Sequence, residues 1–197
     1  MILCAISFGR AEEVILEDFD GTAHGRVNWM QTPEKADHDG DGDMEGKVTA
    51  SGFQAVMKYN VPRQGAVAWL ESAPILTGTV AVDRSENQVN FISVLAIVQT
   101  DATSATVYDP LKDLSHSPFR KGNGPFSFPL KGAVTNKGTP LVDLLAAFES
   151  GQGKFLNLVL VQQSPKGETS KVVYDDLKLT TAVGTVEKAE EASPSYN

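Results

Sequence analysis

The sequence predicts an all-β chain: a two-sheet antiparallel β-sandwich of jelly-roll type with one short helix. Three observations point there. β-branched and aromatic residues cluster in short runs, Gly, Asn, Asp and Pro punctuate those runs, and only one stretch carries both start and stop signals of a helix. Many short strands with a single helix favour layered sheets over an alternating α/β arrangement. A chain of 197 residues has the size of one domain and buries a core without cross-links.

In chain order, strands are expected near 13–19, 47–51, 53–60, 65–71, 78–83, 89–99, 105–108, 125–131, 155–163 and 171–181. The helix is expected from Pro140 to Phe148, because Thr139 can N-cap it, Pro140 suits its first position and Gly151 follows its end. The sandwich domain spans 12–183. Residues 1–11 read as the remnant of a secretory signal, apolar from Ile2 to Phe8 and ending in the small-x-small pattern Gly9-Arg10-Ala11; a disordered arm is the competing reading. From Gly184 the polar, aperiodic GTVEKAEEASPSYN reads as a tail or linker stub.

The charge balance narrows the partners. With 25 acids against 17 bases, the net charge of -8 disfavours nucleic acid and anionic membrane and fits cations or neutral ligands better. The single Cys4 excludes an intrachain disulfide framework and a cysteine-rich zinc site. No apolar run approaches the roughly 20 residues of a membrane helix. A secreted or extracellular location is expected.

Two acids stand on apolar strand faces. Period-2 alternation groups Asp175 with Val173, Leu177 and Leu179, opposite Tyr174, Asp176 and Lys178. Glu17 shares a face with Ile15 and Phe19. A lone buried carboxylate costs several kcal/mol unless it is paired or binds a metal. A cation shared by Glu17 and Asp175 meets that cost; so does a position at a strand end near water, or a lysine or backbone N–H partner.

The motifs VILEDFDG, GKVTASGFQAVMKYNVPRQGAVAWLES, PFSFPLKG and FLNLVLVQQSPKGETSKVVYDDLKL together resemble the jelly-roll sandwiches of carbohydrate-binding modules and galactose-binding-like domains, over residues 13 to 181. The resemblance implies a structural calcium held by an acid of the first strand, oxygens of the following loop and an acid of the last strand. By position those roles fall to Glu17, the region around Asp43 and Glu45, and Asp175.

The loop ADHDGDGDMEG reproduces the first half of an EF-hand calcium loop, with Asp37, Asp39 and Asp41 at positions 1, 3 and 5 and Gly42 at position 6. Its second half departs, since Val48 stands where a bidentate Glu belongs and no helix pattern flanks the loop. A non-helical calcium loop completed by Asp43 and Glu45, and a solvated acidic turn, both fit. His38 reads as a spacer.

Catalytic signatures are sparse. Only His24, His38 and His116 are available to a histidine triad, and no Gly-x-Ser-x-Gly elbow or compact Glu-x-Asp-x-x-Glu run is present. Tyr108, His116 and Arg120 share one segment and keep open a polysaccharide lyase or glycosidase. Sugar binding instead needs an aromatic platform flanked by amides and acids. Candidate platforms are Trp29, Tyr59, Trp69 and Tyr108, with Gln99, Arg120, Asn157 and Gln162 as polar partners. Trp69 fits core better than platform, and Trp29 divides between an exposed platform and a plug over the sandwich edge. The expectation is therefore a calcium-stabilised, non-catalytic binder of a polysaccharide or glycan, possible companion to a carbohydrate-active enzyme; an enzyme on this fold and an adhesive module without a sugar site are the alternatives.

Overall fold

A computed structural model describes residues 13–20, 27–82, 86, 89, 91–100, 124–135 and 138–181, and the backbone of 106–108. The signal remnant at 1–11, the tail from 184, and His24, His116 and Arg120 lie outside the described residues.

Runs rich in Val, Leu, Ile and Thr form strands β1 Glu13–Glu17, β2 Val27–Trp29, β3 Glu34–Ala36, β4 Glu45–Ser51, β5 Phe53–Asn60, β6 Ile75–Ala81, β7 Ser93–Thr100, β8 Thr106–Tyr108, β9 Gly124–Pro129, β10 Leu156–Gln163 and β11 Thr169–Thr180. They make two antiparallel sheets. One, sheet A, has the order β3-β4-β11-β6-β9 with β1 also paired to β11; the other, sheet B, has the order β2-β5-β10-β7-β8. The expected two-sheet sandwich is what the chain forms.

The core lies between the sheets. Val48 and Ala50 of β4 and Val172, Tyr174, Leu177 and Leu179 of β11 meet Met57, Leu156, Leu158, Leu160, Ala96 and Val98 from sheet B. Burying each leucine contributes about 1.5–3 kcal/mol. A polar network crosses this core. The Tyr174 hydroxyl donates to Gln162 Oε1 at 3.0 Å, and Gln162 Nε2 donates to Ser170 Oγ at 2.8 Å and to the Ser170 carbonyl at 2.9 Å. Burial pushes the Tyr174 hydroxyl far above its ordinary value, so it stays a donor.

Strand β11 corrects the expected alternation. Its pairing with β6 slips between Asp175 and Lys178, and Asp176 takes a left-handed φ of 52°, which Asp tolerates better than most residues. Val172 and Tyr174 face inward before the bulge; Leu177 and Leu179 do so after it. Asp175 therefore stands with Val173 on the outer face, not on the apolar one. A similar slip in β1, between Ile15 and Glu17, sends both Leu16 and Glu17 inward.

Among the described residues two helices form, where one was expected. Residues 65–71, expected as a strand, instead make helix α1, Ala66–Glu71, which buries Ala66 and Leu70 four residues apart. Its start is capped from outside: both Glu149 oxygens accept backbone N–H groups, from Gly65 at 3.1 Å and Val67 at 3.0 Å. Helix α2, Leu141–Glu149, matches the expected helix and buries Leu141, Leu145 and Phe148. Pro140, rather than Thr139, occupies its cap position. Arg63 closes its far end by donating to the Phe148 and Gly153 carbonyls while its guanidinium lies 4.1 Å from the Phe148 ring centroid.

Candidate functional site

The topology leaves an opening along β11. Strand β4 pairs with it up to Tyr174, and β1 takes over at Leu177, so Asp175 and Asp176 have neither neighbour on that edge. The end of β1 and the loop before β4 converge there. Phe19, at a φ of 60°, turns its ring onto Gly46, where an added Cβ would come within 2.1 Å of the ring. Asp20 Oδ1 accepts the Met44 N–H at 3.1 Å and ties the loop to β1.

The acidic loop folds on its own carboxylates. Asp37 accepts N–H groups of Gly40 at 2.6 Å and Gly42 at 3.2 Å, Asp39 accepts that of Asp41 at 3.1 Å, and Asp41 that of Asp43 at 2.9 Å. Glu45, outward on β4 yet only 6% exposed, accepts the His38 N–H at 2.6 Å. One carboxylate oxygen each from Asp37, Asp39, Asp41 and Glu45 lies within 4.8 Å of the others, a group that could hold a metal ion. Such an all-oxygen set suits a hard divalent cation. Crowding shows in the electrostatics: the charge of Asp41, then that of Asp20, holds the Asp43 carboxyl above its ordinary value. Burial pushes Asp175 up to about 6, with Asp176, Glu45 and Asp43 adding to the rise and a backbone hydrogen bond from Asp176 opposing it.

The loop borders a cleft of about 740 Å3 on the outer face of sheet A, floored by Thr79, Ala81 and Val173 and edged by Asp175, Lys47 and Lys171. Glu86 bridges the two lysines, at 3.4 Å from Lys47 and 3.9 Å from Lys171.

Glu17 does not join these acids. It is 5% exposed, accepts the Trp29 Nε1–H at 3.1 Å and the Phe19 N–H at 3.2 Å, and lies 3.7 Å from Lys35 Nζ. Its buried charge is met by an indole and a lysine, while Asp175 stands on the opposite face of the sheet. A cation shared by the two is therefore not what solves either burial. Asp20 and Asp176, whose charges reach Asp43, carry no spacing signal that singles them out; only the meeting of β1, the loop and β11 does so.

The expected sugar-binding residues separate. Trp29 faces inward, its ring 5.5 Å from Phe19 and 6.1 Å from Tyr174, as a plug at the sandwich edge. Tyr59 pairs with inward Leu158 and packs on the core, as does Trp69 from α1. Gln162 is engaged inside the core. Arg120 lies outside the described residues, and of Tyr108 only the backbone, paired with Ala96, is described.

Gln99 and Asn157 do come together. Asn157 pairs with Asn60 on one side and Gln99 on the other, so three amides form a row across β5, β10 and β7 on the outer face of sheet B. Directly paired Cβ atoms stand roughly 5 Å apart, comparable to the width of a sugar ring. Asn157 is 8% exposed, and its Oδ1 is buried with no hydrogen-bond partner among the described residues. Beyond the row, Leu95, Ile97, Val159 and Val161 form a separate apolar cluster on the same face.

No family model matches the chain, and no curated protein does. Among solved structures it is similar to the family 11 carbohydrate-binding module of a cellulosomal cellulase of Clostridium thermocellum, at 13% identity and a TM-score of 0.47, covering 89% of this chain and 98% of that one. It is also similar to a family 11 module from Clostridium thermocellum in complex with a beta-1,3-1,4-mixed-linked tetrasaccharide, at 13% identity and a TM-score of 0.47, covering 87% and 96%. Likeness at this level leaves the ligand to be read from the site itself.

Proposed function

We propose that the protein is a non-catalytic module that binds a polysaccharide or glycan at the amide row of sheet B, with calcium held by the loop from Asp37 to Glu45 steadying the sandwich. The observation that carries this is the row of three amides across one sheet face, with Asn60 exposed and Gln99 partly exposed on either side of Asn157. Side-chain amides both donate and accept, as sugar hydroxyls do. The calcium reading rests on the convergence of four carboxylates onto one point.

Export and association with a carbohydrate-active enzyme belong to the same proposal; among the described residues no helix is long and apolar enough to cross a membrane. Affinity electrophoresis through gels containing soluble polysaccharides tests the binding. Retardation by at least one of them, with no release of reducing or unsaturated ends, is expected. Product release would identify an enzyme, and silence in both assays an adhesive module.

A further inference from the structure

Charge is distributed very unevenly between the two sheets. The strands of sheet B read VNW, FQAVMKYN, SVLAIVQT, TVY and LNLVLVQQ, and Lys58 is their one charged residue, in a chain where 21% of residues are charged. Lys58 pairs with Val159, which places it on the outer face, two residues from Asn60 and diagonal to Asn157. Diagonal neighbours of this kind sit roughly 7–8 Å apart, within reach of a long side chain. Half-buried, Lys58 makes no ion pair among the described residues.

We propose that the glycan bound at the amide row carries an anionic substituent, a uronate carboxylate or a sulfate ester, which Lys58 recognises while the exposed Asn60 amide meets a hydroxyl of the same or the adjoining sugar. This rests on the sheet B face being the glycan site. The net charge of -8 does not oppose it locally. The acids that dominate that charge include those of the sheet A loop, on the far side of a sandwich whose layers stand about 10 Å apart. A charge-assisted hydrogen bond also counts for more on a face with few competing charges.

The test is calorimetric titration, at fixed calcium, with tetragalacturonate, a sulfated tetrasaccharide and neutral cellotetraose, against the natural protein, Lys58→Met and Lys58→Arg. The inference expects an anionic tetrasaccharide to bind more tightly than the neutral one. Lys58→Met should weaken that binding about tenfold or more without moving the melting temperature, and Lys58→Arg should largely restore it. The tighter of the two anionic probes tells carboxylate from sulfate. Equal binding of the neutral probe, indifferent to Lys58→Met, overturns the inference and leaves glycan binding standing; no binding of any tetrasaccharide overturns both.

Discussion

Asn157 and Asn60 divide stability from binding. The unmet, buried amide oxygen of Asn157 costs the folded state free energy, so Asn157→Leu should hold or raise the melting temperature, while Asn60→Ala at the exposed end of the row should weaken retention in polysaccharide gels. A drop of several degrees would mean that the amide is structural. Gly46 has the opposite character. A methyl group there meets the Phe19 ring, and Gly46→Ala should cost about 1–3 kcal/mol in urea unfolding. Asp175 makes the chain sensitive to pH. Its folded pKa of about 6 lies above the ordinary 3.8, so between those values the folded chain holds a proton that the unfolded chain has released. Stability should fall as pH rises through that window. In chelator, Asp175→Asn should flatten the profile and raise the melting temperature at pH 7. The sequence displays Asp175 and its neighbours plainly, but not the bulge at Asp176 that turns the carboxylate outward.

At the scale of elements, legibility followed the length of the local signal. Strands β5 and β10 are long, apolar and bounded by turn residues, and their positions are readable from sequence alone. Strands β2 and β3, three residues each in a polar stretch, are not, because they exist through pairing with β5 and β4 rather than through their own propensity. Helix α1 misleads for a related reason. Its short apolar run with Val67 and Trp69 reads as a strand, Ala66 and Leu70 keep a helical spacing, and Glu149, 84 residues from Gly65, caps the helix. Glu149→Ala should therefore loosen α1, with a loss of about 1 kcal/mol and faster amide exchange over residues 66–71.

For the molecule as a whole, the acids of the loop and of β11 meet around the opening where β1 and β4 give way to each other, while the strands of sheet B hold one charged residue, Lys58. The sequence shows an acidic loop and a layered β fold, yet not this segregation, which depends on which strands share a sheet. Calcium at 100 times its dissociation constant should add about 2.7 kcal/mol, or roughly 5–10 °C in melting temperature for a domain of this size, and Asp37→Asn with Asp41→Asn should abolish the gain. The central claim concerns the other face. Its most direct test is an NMR titration of the side-chain amides with a retained oligosaccharide. The account predicts that the Asn60, Asn157 and Gln99 amide signals shift together and saturate; shifts confined to the sheet A cleft, with those three unmoved, would contradict it.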